Sequence, residues 1–211
     1  YRCDSIQCYN MLKLNHTRTN MVIERVRQMS VEEFLDFAEN SEDRYEYIDG
    51  EPRQMTGGKL NHFRIIHRIQ VLLESGLADS ECEVIASGMF VRSGYARLVA
   101  PDVSVVRGEP ETEANTRILL NPTLVVEVTS PSSIEHDRIS KRAYYRDVAS
   151  IEAYLIVDQH RVLVELYTRS ETGWHIQCFS DLGDEVPLAA VDCSLPLRDI
   201  YQRIEFEEES Q

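Results

Sequence analysis

Pro101–Asp102–Val103–Ser104–Val105–Val106 and Leu124–Val125–Val126–Glu127–Val128–Thr129–Ser130–Pro131 are the two runs on which the fold of this chain turns. Both are short and apolar, and the second is rich in β-branched residues and ends in a Ser-Pro turn. They read as buried strands, the second central to its sheet. Each is interrupted by one acid, Asp102 and Glu127. A buried carboxylate is costly unless something pairs with it, and one divalent cation is the simplest partner for two of them.

Working outward, residues 108–117 are an acidic loop and residues 135–148 read as a helix, with Ile139, Ala143, Tyr144 and Val148 on one side. On that helix Asp137 and Lys141 are spaced i,i+4 and can share a face. Toward the N-terminus, Ser30 and Glu33 form a capping box for a helix over about 30–39. Arg44–Ile48, Asp49–Gly50 and Glu51–Met55 make a hairpin, since Asp-Gly suits a tight turn, and Pro52 places the second strand at an edge. Glu46 and Glu51 flank that turn. Gly57–Gly58 opens a long helix over about 59–78, with Leu60, Phe63, Ile66, Ile69 or Gln70, and Leu73 at helical spacing. Cys82–Ala86 is a strand that Met89–Val91 continues through a bulge after Gly88. Beyond the second helix lie three strands, 151–157, 162–167 and 174–179, then short turns and a strand or small helix near 197–200. This order of elements is that of an α/β fold, a mixed central β-sheet flanked by helices.

The 211 residues make one domain over 21–204, with a disordered or non-native extension at 1–20 and an acidic tail at 205–211. No apolar run approaches the roughly 20 residues that span a bilayer. Cys3, Cys8, Cys82, Cys178 and Cys193 are odd in number and irregularly spaced, which favours free thiols in a reducing cytoplasm. The net charge of −14 argues against a generic nucleic-acid coat. It is unevenly spread. Residues 51–150 hold 12 Lys+Arg and 13 Asp+Glu, a net of −1, and the rest holds 10 and 23, a net of −13. The acidic excess lies outside the segment that holds Asp102, Glu127 and Lys141.

Carboxylates are hard oxygen ligands, suited to Mg²⁺ or Mn²⁺. Such an ion activates a bound water and neutralises a phosphate, which is the chemistry of a metal-dependent phosphodiesterase. Lys141 is the best candidate cation. With a reference pKa of about 10.4 it suits charge stabilisation and water orientation better than general-base work. By pattern alone a structural reading of the acids, as caps and ion-pair partners, stands level with the metal site.

The order and spacing of several words together resemble the Uma-type restriction endonucleases, a branch of the PD-(D/E)XK nuclease superfamily. The words are Arg44–Glu51, the helix holding His62, Pro101–Val106, Val125–Ser132, Asp137–Arg138 with Lys141 and Tyr145, and Glu152–Asp158. They span roughly Ser30 to Tyr167. The resemblance implies a restriction-endonuclease-like fold and a Mg²⁺-dependent (or Mn²⁺-dependent) DNA endonuclease. It maps the acidic pair onto Asp102 and Glu127. The superfamily's usual Lys position, two after the second acid, is Thr129 here; the family places its Lys on the following helix, where Lys141 stands. A further acid comes from the N-terminal part, Glu46 or Glu51, with Glu46 preferred because it lies inside the strand-like run. His62 matches a family position and is expected to contact substrate or water.

Two other functions remain open at this level. One is a catalytically inactive binding or regulatory module on the nuclease scaffold, favoured by Thr129 and the overall acidity. The other is an RNA substrate, ranked below DNA because the sequence carries no pair of exposed sheet aromatics. Cleavage of both strands would go with a homodimer. No membrane partner is expected.

Overall fold

A computed structural model describes residues 28–55, 58–114, 116–129 and 133–206. The extension at 1–20 and residues 207–211 of the acidic tail lie outside these. In chain order the elements are helix α1 (Val31–Glu39), strands β1 (Tyr45–Ile48) and β2 (Glu51–Gln54), helix α2 (Leu60–Gly76), and strands β3 (Cys82–Ala86), β4 (Phe90–Arg92), β5 (Arg97–Val99), β6 (Val103–Arg107), β7 (Ile118–Leu119) and β8 (Pro122–Thr129). One helical stretch follows in three parts: α3 (Ile134–His136), a π-helical turn (Asp137–Lys141) and α4 (Arg142–Arg146). Strands β9 (Ala153–Asp158), β10 (Val164–Ser170), β11 (Gly173–Phe179), β12 (Glu185–Leu188) and β13 (Cys193–Pro196) lead to α5 (Leu197–Ile200).

Among the described residues the larger sheet runs β11-β10-β9-β8-β6-β3 and the second runs β2-β1-β5-β4-β7, with β12 and β13 paired apart. The larger sheet is mixed, since β8 and β9 are parallel and its other neighbours antiparallel. β8 is buried along its whole length. One of its faces, Leu124, Val126 and Val128, packs with Ile65, Ile69 and Leu73 of α2 and Leu197 and Ile200 of α5. The other, at Val125, meets Tyr145, Tyr154 and Tyr167. Period two along the strand puts Glu127 on that tyrosine side. Each fully buried Val, Leu or Ile here contributes about 1.5–3 kcal/mol, so the strand that carries Glu127 is held firmly.

The local signals act as chemistry dictates. Ser30 Oγ accepts the Glu33 N–H at 3.1 Å and Glu33 accepts the Ser30 N–H at 2.8 Å, closing the capping box of α1. Asp49 and Gly50 have φ of 53° and 95°, the pair of positive values a two-residue hairpin needs. β2 is an edge strand, as Pro52 requires.

Four expectations are corrected. Leu60 and Phe63 are exposed, and Ile65 is buried in their place, because the first turn of α2 extends past the sheet. β4 does not continue β3 through a bulge: β3 pairs with β6 in the larger sheet and β4 with β5 in the second, the chain changing sheets around Gly88, whose φ is 123°. The helix expected over 135–148 contains the π-helical turn, so Ile139 is exposed while Asp137, Lys141, Tyr145 and Val148 are buried. Where short turns were expected after residue 179, β12 and β13 pair as an antiparallel hairpin.

Candidate active site

β6 and β8 run antiparallel, so the start of one and the end of the other meet at one edge of the larger sheet. Asp102 precedes β6 and Glu127 lies near the end of β8. Asp102 Oδ2 accepts the Val128 N–H at 2.9 Å, and its own N–H donates to the Val126 carbonyl at 3.0 Å, which pins the side chain across the strand ends. Its other oxygen, Oδ1, faces two nitrogens at longer range: Arg44 Nη1 and His62 Nε2 each stand at 3.7 Å.

β1 brings Glu46 to the same place from the second sheet. Glu46 Oε1 accepts the Ala100 N–H at 3.0 Å and lies 3.0 Å from Lys141 Nζ. Lys141 also donates to Glu127 Oε1 at 2.8 Å and lies 3.7 Å from Asp137 Oδ1. Tyr145 donates to the same Glu127 oxygen at 2.6 Å. His136 Nε2 is 3.7 Å from Glu46 Oε2. Glu46, Asp102, Glu127, His136, Asp137 and Lys141 line one pocket of about 730 Å³, whose wall also includes Arg44, Arg53, Met55 and Phe63.

Glu46, Asp102, Glu127, Asp137 and Lys141 are all less than 5% exposed. Burial disfavours charge on Glu46, Glu127, Asp137 and Lys141, and their partners decide the outcome. For Glu46, Lys141, His136 and the Ala100 N–H outweigh burial and hold the carboxyl at about 2. For Glu127, burial outweighs Lys141, and the neighbouring acids Asp102, Asp137 and Glu46 add to it, so its proton affinity rises well above the usual range. Burial likewise raises Asp137 despite Lys141. Burial works against the Lys141 ammonium, but Glu127, Glu46 and Asp137 together hold it charged well above its usual range. The cluster thus sets four acidic side chains beside one fixed ammonium and meets their crowding by raising the proton affinity of Glu127 and Asp137; a divalent cation would favour their ionised form.

The structure brings together Asp102, Glu127, Lys141, Glu46 and His62. Glu51 lies apart, on the exposed edge strand. Asp137, Arg44 and His136 join the pocket without having been singled out for it, and Tyr145, outside its lining, bonds to Glu127; the i,i+4 spacing of Asp137 with Lys141 and of Lys141 with Tyr145 was the available signal. Among the described residues no three His, Cys, Asp or Glu side chains converge closely enough to hold an ion by themselves. Mg²⁺ takes one or two carboxylates and retains waters. Asp102 Oδ1 and Glu127 Oε2 accept no hydrogen bond from a described residue, so these two hard oxygens fit such an ion.

Fold and pocket define an α/β protein of the restriction-endonuclease-like class, with its acids at the edge of a mixed sheet. The sequence model of the Uma2 family, described as "Putative restriction endonuclease", matches residues 31–198, and the chain belongs to that family. Two uncharacterized proteins of Synechocystis sp. are similar to it. One is 30% identical over 180 residues, 85% of this chain and 94% of the relative. The other is 29% identical over 151 residues, 71% and 85% respectively. A crystal structure of a putative nuclease from Anabaena variabilis superposes with a TM-score of 0.68 over 82% of this chain and 97% of that one. At 18% identity that likeness is one of fold. No helix among the described residues is long and apolar enough to cross a membrane.

Proposed function

We propose that this protein is a Mg²⁺- or Mn²⁺-dependent endonuclease that hydrolyses phosphodiester bonds in DNA. The observation that carries the reading is the convergence of Glu46, Asp102, Glu127 and Lys141 in one pocket. Asp102 and Glu127 would hold the ion, which when bound activates water and neutralises charge on the phosphate. Lys141 remains an ammonium. It offsets the repulsion among Glu46, Glu127 and Asp137 and adds positive potential where negative charge develops. Glu46, ionised, ties Lys141 to the second sheet. Arg44, half exposed at the pocket, balances the charge of an incoming phosphate, and His62 contacts substrate or an ordered water. Cutting both strands of a duplex calls for two such sites and hence a homodimer. The free thiols of Cys82, Cys178 and Cys193 go with a reducing cytoplasm.

The test is cleavage of plasmid and linear DNA with Mg²⁺ and with Mn²⁺ by wild type, Asp102→Ala and Glu127→Ala. Both variants are expected to lose about 10²–10³-fold or more in rate, the scale of removing charge-stabilising groups, while keeping wild-type circular dichroism. Wild-type rates in both, or no cleavage of DNA by the wild type under either metal, would sink the reading.

A further inference from the structure

We infer that Tyr145 is a positioning residue of this site: with Lys141 it occupies one oxygen of Glu127, Oε1, and so dedicates the other, Oε2, to a divalent cation. The inference rests on the reading of Glu127 as a metal ligand. Both donors end on the same atom, Tyr145 Oη at 2.6 Å and Lys141 Nζ at 2.8 Å. Lys141 alone would hold Glu127 loosely, because it is shared with Glu46 and Asp137. The Tyr145 hydroxyl bonds to Glu127 and to no other described residue.

The ring is immobilised. Tyr145 is fully buried, its centroid 4.9 Å from Tyr154, which in turn lies 5.6 Å from Tyr167. Tyr154 supplies the internal comparison. Its hydroxyl meets a backbone carbonyl, that of Asp137, at 3.2 Å, an ordinary way to satisfy a core phenol. The Tyr145 hydroxyl instead meets a carboxylate that lines the pocket. Phenylalanine would fill the same volume, so packing alone does not account for the hydroxyl. Outer partners that orient metal ligands act in just this manner.

The test is calorimetric titration with Mn²⁺, without nucleic acid, of wild type, Tyr145→Phe and Tyr154→Phe, with thermal unfolding of each metal-free protein. Tyr145→Phe is expected to bind Mn²⁺ about tenfold more weakly, as for loss of an outer partner of a ligand, while melting within a few degrees of wild type. Tyr154→Phe, which disturbs the same stack without touching Glu127, is expected to keep wild-type affinity. Three results overturn the inference and leave the metal reading standing: unchanged affinity in Tyr145→Phe, an equal loss in both variants, or failure of Tyr145→Phe to fold. No Mn²⁺ uptake by the wild type would overturn the metal reading itself.

Discussion

Lys141 is a buried ammonium with three carboxylates within 4 Å, and its removal is the most damaging single change the site can suffer. Lys141→Met keeps the length of the side chain and deletes the charge. Glu46, Glu127 and Asp137 then repel one another without compensation, and such broken buried pairs cost about 3–5 kcal/mol. Urea unfolding at neutral pH is expected to show a loss of that size, shrinking in mild acid as Glu127 and Asp137, whose proton affinities are already raised, take up protons. Equal losses at both pH values would contradict this. Glu46 behaves in the opposite sense. Its folded value, about 2, lies below the unfolded value of 4.5, so its contribution is complete above about pH 4.5 and disappears as pH falls toward 2. The stability gap between wild type and Glu46→Gln, followed by acid titration, should therefore be widest near neutrality and close toward pH 2.

The π-helical turn is the element that sets the site. Near its start, Arg138 is tied to Glu165 of β10, whose second oxygen accepts the Tyr167 hydroxyl at 2.8 Å. At its end and just beyond, Lys141 and Tyr145 are tied to Glu127. One extra residue in the turn lets both anchors hold. Deleting Ser140 rotates one anchor against the other by about 100°, and both cannot be kept. The expected result is a native-like circular dichroism spectrum with Mn²⁺ binding lost; retained binding would show that the turn is incidental. This is also where the sequence was least legible. β8, the Asp49–Gly50 turn and the capping box at Ser30 were readable because each follows from a short-range rule of period, φ or hydrogen bonding. Asp102, Glu127 and Glu46 stood out as acids in apolar runs. The helix after β8 looked amphipathic by its aliphatic residues, and that reading set Ile139 on one side with Ala143, Tyr144 and Val148. Ile139 is exposed instead, because the face of the π-helical turn that is buried is the polar one, Asp137 and Lys141, which meets Glu127. Leu60 and Phe63 misled for the mirror reason: helical spacing identifies a face but not where the supporting sheet ends.

At the scale of the whole molecule the charge distribution limits how DNA can be held. The chain carries −14 overall, so long-range attraction to a polyanion is absent and phosphate contacts must be few and local. Arg44 and Arg53 are the arginines lining the pocket, beside Glu42 and Asp43. Each phosphate neutralised by a cation adds about −0.7 to −0.9 to the slope of log affinity against log salt. A protein neutralising about ten phosphates would show a slope near −9 on this scale; two pocket arginines give about −1.4 to −1.8. Fluorescence anisotropy of a labelled duplex, with Ca²⁺ in place of Mg²⁺ to hold the site without turnover, is the measurement. The Arg44→Ala and Arg53→Ala variants should each reduce the slope by about 0.7–0.9 and weaken binding alike across sequences. A steep slope in the wild type, or a slope unmoved by both variants, would place the DNA on another surface and separate binding from the acid cluster.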